Sequence, residues 1–321
     1  MKIVILDDQT LNPGDNPWTG LDGPDELVIH PRTSREEILE RASSAEILVT
    51  NKAVLDAEIL AQLPRLKFIA VTATGYNVVD VNASRQRGIP VSNVPSYGTD
   101  TVAQYAMALI LELCHHVGDH ADSVAKGVWA ASKDWTYWKC PQIELRGLTL
   151  GIVGFGRIGQ RVGELGHAFG MRILYATEPP YYPVNYPASL VSIETLFSEA
   201  DIVTLHCSLD KSNFEFINKA LLQKMKPTAF LINAARGQLI KEQDLADALR
   251  DGVLAGAALD VLSSEPPSKD NPLLSAPHCT ITPHMAWASL AARRRIVQTT
   301  VANIKAFLSG APINVVNPPT P

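Results

Sequence analysis

Cysteine is scarce in this chain: four among 321 residues, at positions 114, 140, 207 and 279. None of the spacings is the close pair that a zinc site or a disulfide framework needs, so the thiols are expected to be reduced, as in a cytoplasmic protein. A basic excess is missing too. Lys and Arg total 28 against 33 Asp and Glu, a net charge of −5, which argues against nucleic acid or an anionic membrane as the main partner. No apolar run is long enough to span a bilayer; "AMALILELC" is short and carries Glu112. The opening "MKIVILDDQT" is broken by Asp7 and Asp8 too early for a signal peptide. Solenoid repeats and low-complexity linkers are absent as well. His116 and His120 sit four apart in an expected helix, but no acidic or cysteine ligand motif accompanies them. They are expected on a solvated face, and no metal is expected.

What is present is alternation. Short β-branched runs alternate with helical patterns, which predicts parallel sheets in an α/β architecture. The first part offers five strands: "KIVIL", "ELVIH", "EILVT", "LKFIAV" and "IPVSN". The second offers six, the number a full dinucleotide-binding sheet needs: "LTLGIVG", "MRILYAT", "DIVTLHC", "AFLINAA", "LAGAALDV" and "HCTITPH". "TSREEILERA" reads as a capping-box helix start, with Thr33 and Ser34 followed by Glu36 and Glu37. A helix over "TDTVAQYAMALILELCHHV" would put Val102, Tyr105, Ala106, Leu109 and Leu113 on one face. A second, "SLAARRRIVQTTVANIKAFLSG", follows the last strand and returns the chain to "PINVVN". Its triple Arg293, Arg294, Arg295 is expected on a solvated face. The first domain is then discontinuous, 1–98 plus 287–321 and flavodoxin-like, with 99–286 inserted as a Rossmann domain.

The segment "GIVGFGRIG" supplies Gly154-x-Gly156-x-x-Gly159. The pattern alone is weak, but here it follows an apolar strand and opens a helix. Gly154 would make the tight turn, Gly156 would let the backbone reach a pyrophosphate, and Gly159 would allow helix to pack on strand. Three later segments each deliver a polar residue just past a strand: Arg236 in "LINAARGQL", Asp260 and Glu265 in "ALDVLSSEPP", His284 in "TITPHMAWAS". Ligands of open α/β sheets bind at that carboxyl edge. The set suits hydride transfer at a hydroxyl carbon. His284 would move the proton, Glu265 would stabilise its charged form, and Arg236 would grip a substrate carboxylate through its planar fork. Asp260 could accept from a nicotinamide amide.

These segments, with "TGYNVVDV", "GIPVSNVP" and "VAQYAMALIL", make the chain resemble the D-isomer-specific 2-hydroxyacid dehydrogenases along nearly its whole length. Within that family "LNPGD", "ATGYNVVD" and "NVPSYGTDTVAQ" are most like the bacterial glycerate dehydrogenases, or hydroxypyruvate reductases. The resemblance implies two Rossmann-like, doubly wound parallel-sheet domains with an active-site cleft between them. It also implies a homodimer, for which the tryptophan-rich "GVWAASKDWTYWKC" (Trp129, Trp135, Trp138) would be the arm; packing within its own domain is the other reading. It carries the catalytic roles onto Arg236, Glu265 and His284, and substrate binding onto the amides of Thr74, Gly75 and Tyr76. Cofactor contacts carry onto Arg157, Ile158, Cys207, Ala234, Ala235, Arg236 and Asp260.

One departure bears on the cofactor. The strand "RILYATEPP" ends in Thr177, with Glu178 one step later, where the family has an acid for the adenosine ribose. NADP would need cations there, and the stretch from Ile173 to Asp210 has no Lys or Arg. NAD is therefore expected, with NADP the weaker alternative. The implied reaction joins D-glycerate and hydroxypyruvate, or glyoxylate as a near relative. A dinucleotide-sensing binding protein of the corepressor type remains a rival reading. A 3-phosphoglycerate dehydrogenase is disfavoured because Lys52 is the only cation between Arg41 and Arg65.

Overall fold

The computed structural model describes residues 1–21 and 26–318. Residues 22–25 and the last three of the C-terminal tail lie outside the described residues. Twelve strands are described: β1 (Lys2–Ile5), β2 (Glu26–Ile29), β3 (Ile47–Thr50), β4 (Phe68–Val71), β5 (Val91–Ser92), β6 (Thr149–Val153), β7 (Arg172–Ala176), β8 (Ala188–Leu190), β9 (Ile202–Leu205), β10 (Phe230–Asn233), β11 (Gly256–Leu259) and β12 (Cys279–Ile281). The helices are α1 (Ile38–Ala42), α2 (Ala57–Ala61), α3 (Val81–Gln86), α4 (Thr99–His115), α5 (Val117–Ala125), α6 (Arg157–Ala168), α7 (Ile193–Glu199), α8 (Lys219–Leu222), α9 (Glu242–Arg250) and α10 (Leu290–Leu308). The chain divides into two compact units, Met1–Tyr97 with Ala288–Pro321, and Gly98–Trp287.

The first unit holds a five-stranded sheet in the order β2-β1-β3-β4-β5. All its pairings are parallel. β3 and β4 are buried at every position, as strands covered on both faces must be. α10 lies against β4, where Phe307 stacks on Phe68 at 4.5 Å between ring centroids. The tail rejoins this unit through an antiparallel bridge between Val315 and Ser92.

The second unit holds a seven-stranded parallel sheet, β12-β11-β10-β9-β6-β7-β8. Apolar clusters fill both its faces. α4 and α6 contribute Met107, Leu109, Ile110 and Val162 to one, and α7 to α9 contribute Leu196, Leu222 and Leu245 to the other. Both sheets are thus doubly wound, with strand order reversing at β1/β3 and at β6/β9.

Four sequence expectations need correction. The six strands expected of the second unit are joined by β8, a three-residue edge strand, "ASL", too short to give a periodic signal. The helix expected to begin at Thr33 begins at Ile38 and has no side-chain cap. Only half of the box forms there: Glu37 accepts the Ser34 N–H at 2.8 Å, while the Thr33 hydroxyl turns away to the Leu6 carbonyl. His116 and His120 do not share one helix. His116 adopts a left-handed conformation (φ 46°) that ends α4 and precedes α5, and its carbonyl accepts His120 Nδ1 at 2.8 Å.

Arg293 is the fourth. It is buried rather than solvated, and its guanidinium meets both carboxylate oxygens of Asp15, at 2.5 and 2.7 Å, and the Leu11 carbonyl at 3.2 Å. Arg294 and Arg295 are exposed as expected. The exposed Trp129, Trp135 and Trp138 lie beyond α5.

Candidate active site

A parallel sheet sends every strand's carboxyl end to one edge, so strand order alone ranks the candidate residues. Along the second unit's edge, neighbouring strands deliver His284 (after β12), Asp260 and Glu265 (after β11), Arg236 (after β10) and Cys207 (after β9). The glycine turn (after β6) and Thr177 (after β7) follow. His284 and Glu265 therefore lie at one end of the row and Thr177 at the other. The order reversal at β6/β9 lies between them, where such sheets bind ligands.

His284 Nδ1 meets Glu265 Oε2 at 2.6 Å, and the two side chains remain 31% and 35% exposed. An ionised Glu265 can only accept at Nδ1, and Nε2 meets no partner of the chain among the described residues. Glu265 Oε1 is fixed by the Leu262 N–H at 3.1 Å. His284 is held in the left-handed region (φ 51°), a costly conformation for a residue with a side chain. Asp260 supports it. That residue, expected at the cofactor, is committed inside the protein: 1% exposed, it accepts the Thr282 hydroxyl (2.7 Å) and the N–H groups of Met285 (2.9 Å) and Ala286 (2.7 Å). Its own carbonyl accepts the His284 N–H at 2.7 Å. The Trp287 indole closes the turn from the other side, donating to the His284 carbonyl at 2.9 Å.

Arg236 is exposed, and among the described residues its guanidinium meets no carboxylate; Nη1 donates to the Ala235 carbonyl at 2.6 Å. Its loop is shaped by the buried Asn233, which accepts from the Ala235 N–H (3.0 Å) and donates to the Arg236 carbonyl (2.8 Å). Gly237 comes next, and a Cβ there would overlap the Leu262 backbone. Asn233 and Gly237 escaped sequence reasoning. A polar residue ending an apolar strand and a glycine directly after Arg236 were the available signals.

The glycine turn fits a dinucleotide. Gly154 has φ +88°, and a Cβ there would overlap the backbone of Cys207 on the neighbouring strand's exit. A Cβ on Gly159 would overlap the Gly154 carbonyl, whereas one on Gly156 would meet nothing. Gly156 is also the N-cap of α6 and brings no capping side chain. The first N–H groups of the helix, at Arg157, Ile158 and Gly159, are thus available to an anion. Burial pushes the Cys207 thiol up to about 11 and the neighbouring His206 imidazole down to about 4, so both are neutral near pH 7. Thr177 is half-buried beyond β7, and Glu178 is exposed.

In the first unit, Thr74, Gly75 and Tyr76 form an exposed loop after β4. The Thr74 hydroxyl donates to the Val94 carbonyl (2.9 Å), and Asn93 Nδ2 donates to the Thr74 carbonyl (2.8 Å). Among the described residues, the N–H groups of 74, 75 and 76 meet no acceptor of the chain, so three consecutive donors are available. No group of three or more His, Cys, Asp or Glu among the described residues could hold a metal, and no described helix is long and apolar enough to cross a membrane.

Comparison with known proteins gives the family. Residues 107–286 match the family model described as the D-isomer specific 2-hydroxyacid dehydrogenase NAD binding domain. The chain is 46% identical over 322 residues to the hydroxypyruvate reductase of Blautia hydrogenotrophica, covering 99% of this chain and 100% of that one. It is 39% identical to the glycerate dehydrogenase of Methylorubrum extorquens, with 98% of each covered. The crystal structure of the Aquifex aeolicus D-lactate dehydrogenase complexed with NAD and lactic acid superimposes with a TM-score of 0.82 at 28% identity, over 100% of both chains. From the glycine turn to the His284–Glu265 pair, the chain belongs to the D-isomer specific 2-hydroxyacid dehydrogenases, and it is an enzyme of that NAD-binding family.

Proposed function

We propose that this dehydrogenase interconverts hydroxypyruvate and D-glycerate, with NAD(H) as its preferred cofactor. The observation that carries the chemistry is the 2.6 Å contact between His284 Nδ1 and Glu265, with Arg236 on the next strand. Relatives named hydroxypyruvate reductase and glycerate dehydrogenase, at 46% and 39% identity, support the substrate pair, beside glyoxylate reductases such as one at 37%; all of them support an enzyme over a dinucleotide-sensing binding protein.

In reduction, the Arg236 fork holds the substrate carboxylate; in the first unit, Thr74, Gly75 and Tyr76 are the substrate-binding residues we propose. His284 Nε2 donates its proton to the keto oxygen, and Glu265 stabilises the imidazolium until that moment. In oxidation, Nε2 takes the hydroxyl proton back. A nicotinamide, when bound, supplies or accepts the hydride. The glycine turn and the N-terminus of α6, with Ala234, Ala235 and Cys207 on the neighbouring loops, would hold the dinucleotide. Thr177 or Glu178 would accept from the ribose diol, and Glu178 would repel a 2′-phosphate. We place residues 1–98 with 287–321 as the substrate-binding domain, and 99–286 as the dinucleotide-binding domain. We further propose a cytoplasmic homodimer joined through the segment bearing Trp129, Trp135 and Trp138.

The test is a substrate panel of hydroxypyruvate, glyoxylate, pyruvate and 3-phosphohydroxypyruvate, each with NADH and NADPH. Hydroxypyruvate with NADH should give the highest kcat/KM. A higher value with NADPH overturns the cofactor reading, and preference for another keto acid overturns the substrate.

A further inference from the structure

We propose that Gln238 and Glu242 are positioning residues that latch the loop carrying Glu265 to the segment carrying Arg236, so that the proton-transfer pair and the carboxylate grip keep one geometry. The proposal rests on the roles given above to Glu265, His284 and Arg236.

The loop needs such a latch. Residues 263–270 are all exposed, between the buried Leu262 and Leu273. No apolar side chain from this stretch enters the core, so burial does not locate it. Glu265 lies inside it, and the main chain there decides where its carboxylate stands relative to His284.

Polar bonds hold the loop instead, and those at Ser263 and Asn271 come from one segment. Both backbone groups of Ser263 are taken by side chains of the segment that begins at Arg236. The Ser263 N–H donates to Glu242 Oε1 at 2.7 Å, and its carbonyl accepts from Gln238 Nε2 at 2.8 Å. The second oxygen of Glu242 accepts from Asn271 Nδ2 at 2.8 Å, so one carboxylate pins both ends of the loop. Asn271 is itself anchored, since its Oδ1 accepts the Leu273 N–H at 3.0 Å. Gly237 completes the junction by letting the two main chains approach at Leu262. A segment that already fixes Arg236 thereby fixes Glu265.

The consequence is kinetic rather than global. Reacting groups misplaced by about 1 Å can lose about a hundredfold in rate, whereas freeing an exposed loop exposes little apolar surface. The variants Glu242→Ala, Glu242→Gln and Gln238→Ala are compared with Glu265→Gln in the full chain. Hydroxypyruvate and NADH are the probes, and the readouts are the pH profile of kcat/KM, NADH affinity and Tm. Glu242→Ala should lose roughly ten- to a hundredfold in kcat/KM. Its high-pH limb should move to lower pH, in the direction of Glu265→Gln, because the imidazolium loses its held counter-charge. NADH affinity should stay unchanged. Glu242→Gln should fall between, since its remaining oxygen still accepts from Ser263 while its amide faces the Asn271 amide. Gln238→Ala should shift the limb the same way by less, and it serves if Glu242→Ala does not fold. An unmoved limb in the Glu242 and Gln238 variants, alongside a moved limb in Glu265→Gln, overturns the latch alone. An unmoved limb in Glu265→Gln overturns the His284–Glu265 pairing, and the latch with it.

Discussion

The two sheets share a plan and treat its most useful point in opposite ways. Each is parallel and each reverses strand order beside its first strand. In the seven-stranded sheet the exit of that strand is a glycine turn leading into α6, with N–H groups left for an anion. In the five-stranded sheet the same exit carries Asp7, whose carboxylate takes the N–H groups of Asn51, Lys52 and Ala53 at 2.8, 2.5 and 2.8 Å. The crevice where a flavodoxin-like order would receive a phosphate is filled there by the chain's own anion. One topology thus gives an open crevice where glycine turns the chain, and a closed one where aspartate fills it. The five-stranded sheet keeps its available donors two strands away, in the loop after β4.

The largest effect should come from removing chemistry at the open edge. His284→Ala should lower turnover by roughly 10²–10⁴ while NADH still binds; steady-state kinetics beside a fluorescence titration separates the two. Next is the turn itself. A side chain at φ +88° overlapping Cys207 imposes strain of about 1–3 kcal/mol, so Gly154→Ala should weaken NADH binding at least about tenfold. Unchanged affinity would break the contrast between the sheets. A smaller effect is expected at the ribose end. Glu178→Arg should raise NADPH use relative to NADH by roughly tenfold, the scale of a charge-assisted hydrogen bond.

The same kind of change at the closed edge should leave the cofactor alone. Asp7→Asn leaves a backbone donor unmatched, at about 1–3 kcal/mol, and should lower Tm with NADH affinity unmoved. Burial raises the Asp7 carboxyl, against the three N–H bonds that lower it. The folded chain therefore holds that proton to higher pH than the unfolded chain, and its stabilising share is lost as pH rises through the folded value. The Tm gap between unmodified and variant chains should accordingly be wider at pH 4 than at pH 8. The smallest effect concerns thiols. Burial pushes Cys114 and Cys207 to about 11 and Cys279 to about 12. These three should resist iodoacetamide at pH 8, as peptide mapping would show.

The strands and the polar residues past them were legible because each signal is local: an apolar run, then Arg236, Glu265 or His284. What escaped depends on contacts between distant segments. Asp7 reads as an interrupted apolar run until β3 places three N–H groups beside it. Asn233, Gly237 and Glu242 matter only where two strand exits meet. Arg293 is different, because its signal was present: it falls in phase with the buried Ile296, Val297 and Thr300 of α10, while Arg294 and Arg295 do not. Three arginines in a row hid that phase.

The discontinuity of the first unit has a consequence during synthesis. Its chain stops at Tyr97 and resumes at Ala288, with the whole second unit in between. At ordinary elongation rates, on the order of ten to forty seconds pass before α10 leaves the ribosome. Until then Phe68 lacks the ring that covers it and β5 lacks the Val315 bridge. The inserted unit, encoded without interruption, can close first. The nascent five-stranded sheet must wait with an apolar face open, so the first 97 residues are where a holding chaperone has most to protect.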